Sequence, residues 1–277
     1  MRTTSLPPAA LSAGEDSTAV ARPDASAALG EAHAPHSPLH GVKLVALIVF
    51  LFASAWLGWQ VARGGIALGL LWWFPVIGAV GYVAADLVSG LVHFLADNFA
   101  EEDTPIIGAA FVKPFRDHHT DPTGITRHDF VETNGNNVIV SLPFVLPAAL
   151  WLPSSTNALA WVVASFTLCF ILAIFLTNQF HKWAHEPVPP PIALRLQRAG
   201  LILSKEHHNV HHTSPFDTHY CITVGLWNKL LERVQLWERL ERAIRRWLPG
   251  TDPKMRVVRD AEARASAVAA SGGRADG

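Results

Sequence analysis

Histidine is the residue type in this chain whose number and spacing most clearly indicate a chemical role. The sequence contains 14 histidines, and eleven of them lie between His93 and His219. His181 and His185 are four residues apart, and the segment HHNVHH, residues 207–212, holds two further pairs with this spacing. Residues four apart lie on one face of a helix, close enough for one metal ion to bind both. The pattern therefore predicts a metal centre built from imidazoles.

Other segments add histidines and carboxylates that could join this centre. His93 and Asp97 form another pair with helical spacing, and the segment RDHHTDPTGITRHD follows them. Neutral imidazole suits iron, zinc and copper, and the two cysteines are too few for a cysteine-rich zinc site. One tetrahedral zinc needs only four ligands, so two metal ions sharing eight or more histidines fit the number better.

Several other classes of protein lack their characteristic patterns here. The sequence has no His-Glu-x-x-His zinc protease motif, no Glu-x-x-His pair in a helical region, no Rossmann glycine fingerprint and no P-loop. The net charge is −1, so the chain lacks the excess of basic residues that is typical of nucleic-acid-binding proteins. A desaturase, a hydroxylase on the same centre and a histidine-rich metal transporter or sensor stay open.

Long apolar runs must position these residues. Half of the residues are hydrophobic and 16% are charged, and the apolar residues cluster in runs. Because about 20 apolar residues cross the hydrocarbon layer, we predict an all-α polytopic membrane protein. The four predicted spans cover residues of about 44–62, 68–97, 138–152 and 158–181. The third is the weakest, and two spans with a re-entrant hairpin remain an alternative.

The distribution of basic residues predicts the orientation of the chain in the membrane. Lys43, Lys113, Arg127 and Lys182 flank one side of the spans, whereas the opposite side has only Arg63. The histidine-rich site and both termini are therefore expected on the cytoplasmic side. That would be the inner membrane in a bacterium or the endoplasmic reticulum in a eukaryote.

The rest of the chain divides into two tails and one domain. Residues 1–40 and 251–277 are rich in small and polar residues and are expected to be disordered, which leaves 41–250 as the membrane-embedded domain. Residues of about 226–248 alternate apolar and basic residues with a helical period. This predicts a helix in the headgroup region, and a helix packed on the protein itself is the alternative.

The histidine segments resemble one family of membrane lipid desaturases. The runs DLVSGLVHFLAD, PFRDHHTDPTGITRHDFVETNGNN, TNQFHKWAH and HHNVHHTSPFDTHYCITVG are similar to those of the plasmanylethanolamine desaturase family, over Val83 to Leu240. The resemblance implies an O2-dependent enzyme that converts an alkyl ether phospholipid into a vinyl ether phospholipid, a plasmalogen. A plant branch that desaturates an acyl chain of phosphatidylglycerol is the second candidate.

The same resemblance implies a di-iron centre and a set of site residues. It also implies electrons from a small carrier, similar to cytochrome b5 or a ferredoxin. The expected catalytic residues are His181, His185, His208, His211 and His212. The expected metal ligands are these five together with His93, His118, His119, His128 and His207. Asp97 and Asp121 are expected to orient imidazole rings in the cofactor site.

Overall fold

The described part of the chain is helical. The computed structural model describes residues 37–105, 108, 112–152, 154–214 and 216–248. These residues form nine α-helices and no strand, which confirms the predicted all-α class. The predicted tails lie outside the described residues, except that 37–39 lead into the first helix and His40 begins it. The helices are α1 His40–Ala67, α2 Phe74–Asn98, α3 Lys113–Thr120, α4 Phe130–Trp151, α5 Ala158–His185, α6 Pro191–Arg198, α7 Lys205–His211, α8 Asn228–Arg233 and α9 Leu236–Trp247.

Four long helices form the core, and α5 is the one that contacts the other three. It packs against α1, α2 and α4, and α1 also packs along α4. Phe50, Leu57 and Trp161 are fully buried in the apolar cluster between them. The indole N–H of Trp161 donates to the carbonyl oxygen of Val61 at 2.7 Å, so the one polar atom of this ring is satisfied inside the core.

A glycine allows α1 and α4 to approach closely near the histidine-rich end. A Cβ atom at Gly135 would lie 2.6 Å from the Cβ of Lys43. Lys43 is itself buried, and its Nζ donates to Glu132 Oε2 at 2.5 Å. The missing side chain thus makes room for a buried ion pair between the two helices.

Three of these helices are long and apolar enough to cross a membrane. They cover His40–Ala67, Leu71–Asn98 and Ala158–His185, and correspond to the predicted first, second and fourth spans. The second range is α2 together with a short 3-10 helix, Leu71–Trp73, that precedes it. α4 contains the predicted third span but begins earlier, with a polar first half, and it has Pro143 and Pro147 inside it. That α4 crosses the membrane stays a prediction.

The segment predicted as a single helix over 226–248 is two helices. Gln235 adopts a left-handed backbone conformation, with φ of 53°, and this separates α8 from α9. Trp237 on α9 is buried against Phe94 and Tyr220, so the apolar face of this helix packs on the protein. Residence of its basic face among lipid headgroups stays a prediction.

Candidate metal centre

Four elements carry histidines to one end of the helix core. The last turns of α2 and α5 present His93 with Asp97 and His181 with His185. α3 contributes His118 and His119, and α7 with its C-cap contributes His208, His211 and His212. α7 starts where the side chain of Ser204 accepts a hydrogen bond from the His207 N–H, which is a normal helix N-cap.

The first set of facing side chains consists only of imidazoles, and we call it the five-histidine group. Its members are His118, His181, His185, His208 and His212, and one nitrogen of each lies within 4.8 Å of the others. His208 Nε2 lies 2.8 Å from His181 Nε2 and 3.0 Å from His212 Nε2. His212 Nε2 is also 3.1 Å from His118 Nε2.

The second set surrounds a carboxylate, and we call it the Asp97 group. Asp97 Oδ2 lies 3.0 Å from His119 Nε2, 3.3 Å from His93 Nε2 and 3.6 Å from His211 Nε2. All four side chains are buried. The carboxylate predicted to orient rings thus lies among three ring nitrogens, where it could itself bind a metal ion.

Hydrogen bonds on the far side of two rings decide which nitrogen faces the Asp97 group. The Nδ1 of His93 is 3.1 Å from the carbonyl oxygen of Tyr220, and the Nδ1 of His211 is 2.7 Å from that of Thr218. A carbonyl oxygen only accepts, so Nδ1 carries the proton and donates in both rings. Each Nε2 therefore presents a lone pair to the Asp97 group, as a metal ligand must.

The inner ring atoms fit a bound metal ion. Within the described residues, Nε2 of His93, His185 and His211 is buried without a hydrogen-bond partner. Such atoms cost about 1–3 kcal/mol each unless something satisfies them. Nitrogens bound to one ion at about 2.1 Å lie about 3 Å apart when the angle at the ion is near 90°. Three nitrogen separations in the five-histidine group, of 2.8, 3.0 and 3.1 Å, match that spacing.

The electrostatic environment keeps these imidazoles neutral. Burial holds the pKa of His118, His208 and His211 well below its usual range, and neighbouring imidazoles lower it further. Burial also lowers the pKa of His212 to about 2. Neutral imidazole is the form that binds metal, so the site does not need to release protons before binding an ion.

Three predicted site residues lie outside both groups. His128 is exposed, and its carbonyl oxygen accepts from Lys182 Nζ at 2.5 Å. His207 turns away from its neighbour His208, and its Nε2 is 2.9 Å from the side-chain nitrogen of Asn228. The carboxylate of Asp121 bonds to Arg127 and to Thr123. The structure therefore brings nine of the twelve predicted side chains together, eight histidines and Asp97.

Asp86 has a structural part in the site that was not anticipated from the sequence. Its Oδ1 accepts backbone N–H groups of Thr223, Val224 and Gly225 at 2.8–3.1 Å. This fully buried carboxylate fixes the segment after α7 to α2, and that segment carries the Tyr220 carbonyl that orients His93. An aspartate inside an apolar span, seven residues before His93, was the available signal.

Comparisons with known proteins agree with this site. A family model described as a lipid desaturase domain matches residues 82–256. The chain is 45% identical to a plasmanylethanolamine desaturase of Myxococcus xanthus over 74% of this chain and 75% of the relative. It is 44% identical to plasmanylethanolamine desaturase 1 of Mus musculus over 65% of this chain and 68% of the relative.

More distant relatives come from plants. The chain is 36% identical to the chloroplastic fatty acid desaturase 4 of Arabidopsis thaliana, over 59% of this chain and 49% of the relative. No solved structure matches.

Proposed function

The chain belongs to the lipid desaturase family, and from that premise we propose that it converts an alkyl ether phospholipid into a vinyl ether phospholipid. The substrate would be a plasmanylethanolamine and the product a plasmalogen. Relatives with that activity in their names, from a bacterium and a mouse, support this choice. The plant fatty acid desaturase is less similar, so an acyl-lipid substrate is less favoured.

One observation carries the proposal: two buried ligand groups lie side by side at the end of apolar helices. His119 belongs to the Asp97 group and His118 to the five-histidine group, and they are adjacent in α3. Two metal ions could therefore be held close together, next to a hydrocarbon layer. A metal transporter would instead need its ligands along a path through the bilayer.

We propose iron as the metal, with one ion for each group. The five-histidine group would hold one ion through His181, His185, His208 and His212 with His118. The Asp97 group would hold the other through His93, His119 and His211 together with the carboxylate. Bound iron would supply the activation of dioxygen that removing hydrogen from an unactivated methylene requires.

The protein side chains would provide position and a dry environment. The carbonyl groups of Tyr220 and Thr218 would hold His93 and His211 with Nε2 turned inward. Burial of both groups would keep water from the oxidising centre and keep the imidazoles unprotonated. We assign His128, His207 and Asp121 to neither ion.

The overall reaction requires an external reductant. The substrate loses two hydrogen atoms from neighbouring carbons, dioxygen takes up these with two further electrons and two protons, and two water molecules form. We propose that a small electron carrier similar to cytochrome b5 or a ferredoxin supplies the electrons. The basic residues near the site, Lys43, Lys113 and Lys182 among them, favour a cytoplasmic site and cytoplasmic termini.

The test is lipid analysis combined with metal analysis. The chain is expressed in a host that makes alkyl ether phospholipids but no vinyl ether lipids, and lipids are identified by mass spectrometry. We expect vinyl ether lipids only with the intact chain, and two irons per purified chain. New acyl-chain double bonds without vinyl ethers would favour the acyl-lipid alternative, and a single zinc per chain would contradict the proposal.

A further inference from the structure

A cavity lies beside the metal centre, between α2, α4 and α5. Its volume is about 460 Å³, within the range of about 300–1,000 Å³ common for small-molecule sites. α2 and α4 both pack on α5, but their described residues make almost no contact with each other. The cavity therefore occupies a slot that opens sideways between these two helices.

One end of the cavity lies against the Asp97 group. Ala96 and Phe115 line it there, and the Phe115 ring is 4.8 Å from the ring of His93. Asn178, one turn before His181 on α5, lines the same end. The other end reaches Phe170, about three helical turns or roughly 16 Å from His181. The cavity thus extends from the metal centre into the depth of the membrane-spanning helices.

The polar residues in the cavity wall already have partners in the protein, and the amides of Asn137 and Asn178 donate to the carbonyl oxygens of Ile174 and Thr133. Ser89 Oγ donates to the Asp86 carbonyl oxygen at 2.7 Å, and Ser141 Oγ donates to that of Asn137 at 2.7 Å. Thr177 Oγ1 donates to the carbonyl oxygen of Ala173 at 2.9 Å. Because these hydroxyls are used within their own helices, the wall offers mainly aliphatic surface. Such a wall suits a hydrocarbon chain and not a polar ligand.

The rim of the slot is apolar and exposed. Val92 and Leu95 on α2, and Val140 and Phe144 on α4, line the cavity and are each more than 40% exposed. α2 and α5 are long and apolar enough to cross a membrane, so the rim would face its hydrocarbon layer if they do. A lipid chain could therefore move from the bilayer into the cavity without crossing water.

We propose that this cavity binds the alkyl chain of the ether phospholipid, which enters sideways between α2 and α4. The ether end of the chain lies at the Asp97 group, and the far end lies towards Phe170. This assignment rests on the proposed function, because it takes the substrate class from there. It also makes Val140 and Ile174 determinants of the chain lengths that the enzyme accepts.

Photochemical labelling tests this assignment without relying on activity. The full chain is placed in detergent micelles that contain an alkyl ether phospholipid with a diazirine in its alkyl chain. We expect labelled peptides from α4 and α5 around Val140 and Ile174. Labelling confined to the outer face of α1, around Phe52 and Trp56, would overturn the assignment. Equal competition by a diacyl phospholipid would also overturn it, because the site would then bind lipid chains in general.

Two variants and one control sharpen the experiment. Ile174→Trp fills the cavity, and Val140→Trp narrows its rim. Because Val140 is exposed, the Val140→Trp variant should fold normally. Because one methylene in an apolar pocket is worth roughly 10–200-fold, we expect at least about a tenfold drop in labelling and in conversion of long chains relative to short ones. Leu150→Trp is the control, since Leu150 is exposed on α4 outside the cavity wall. Unchanged labelling in both cavity variants would contradict the inference.

The two proposals fail in different ways. If the wild-type chain is labelled at the cavity but forms no vinyl ether lipid, the proposed function is wrong and the chain-binding cavity stands. If the wild type forms vinyl ethers, and if Ile174→Trp and Val140→Trp keep the chain-length preference of the wild type, the function stands and the cavity assignment is wrong.

Discussion

The Nε2 atoms of His181 and His208 lie 2.8 Å apart, although the residues belong to different helices, α5 and α7, and are 27 positions apart in the chain. Two neutral imidazoles can satisfy this contact with one hydrogen bond. His208 Nε2, however, also faces His212 Nε2 at 3.0 Å. Three ring nitrogens turned towards one another in a buried place are the arrangement that a metal ion stabilises.

Replacing one of these imidazoles tests the five-histidine group directly. His208→Ala should lower the iron content from two to about one per chain and reduce desaturation by at least about 100-fold, because removing even groups that merely support ligands costs 10–100-fold. Iron is measured by mass spectrometry on protein purified from membranes. Asn209→Ala is the matched control, since Asn209 is the exposed next residue of α7. Two irons in His208→Ala would exclude His208 as a ligand.

The carboxylate of Asp97 offers a test of the second group. Asp97→Asn keeps the shape of the side chain but removes the charge that lies within 3.6 Å of three ring nitrogens. We expect the loss of about one iron per chain and of detectable activity, with the protein still in the membrane. Asp121→Asn is the comparison, because Asp121 bonds to Arg127 and Thr123 outside the group. Equal iron loss in both variants would mean that the two aspartates are not distinguished as proposed.

Asp86 should matter for stability and, through the position of His93, for activity. Asp86→Asn keeps one oxygen for the three backbone N–H groups but replaces a charged acceptor by a neutral one. We expect the free energy of unfolding to fall by about 2 kcal/mol. The measurement is thermal unfolding in detergent, read together with activity. An unchanged melting temperature would show that the carboxylate does not hold the segment after α7.

The lowered pKa values predict how the metal-free protein responds to acid. For His212, burial lowers the pKa from its usual 6.5 to about 2 in the folded state. Above pH 6.5 both folded and unfolded states carry the neutral ring, so the group has no effect on stability. Between pH 6.5 and 2 only the unfolded state takes up the proton, and stability falls by up to about 1.4 kcal/mol per pH unit for each such group.

We therefore expect the melting temperature of the metal-free protein to fall steadily as the pH is lowered from 7 to 5. The pKa of His118 and His208 is lowered in the same direction, so these rings add to the slope. The double variant His208→Gln/His212→Gln should show a shallower dependence. A melting temperature that is constant or rises towards pH 5 would contradict neutral, buried imidazoles.

The close approach of α1 and α4 predicts a difference between two glycines. Gly135→Ala would place a methyl group 2.6 Å from Lys43 Cβ and should destabilise the protein by about 1–3 kcal/mol. Gly58→Ala, in which the nearest atom belongs to Leu168 at 3.6 Å, should be neutral or slightly stabilising, because alanine favours the helix. Thermal unfolding of the two variants side by side is the measurement, and equal effects would argue against this packing.

Several features could be predicted from the sequence because they depend on neighbours along the chain. Long apolar runs require helices when they meet lipid, so the all-α class and three of the spans follow from composition. A spacing of four residues puts His181 and His185 on one helix face, and likewise His208 and His212. The concentration of histidines at span ends and in one loop was enough to predict a shared metal centre.

Only the tertiary structure decided how these side chains are divided between two groups. His207 and His208 are adjacent in the chain and of the same type. Only the orientation of α7 about its axis places His208 in the metal centre and His207 beside Asn228. Asp97 and Asp121 each follow a histidine by a short interval, yet only Asp97 lies where three helices meet. The spacing of residues determines which of them share a face, whereas the packing of that face against other elements determines what it meets.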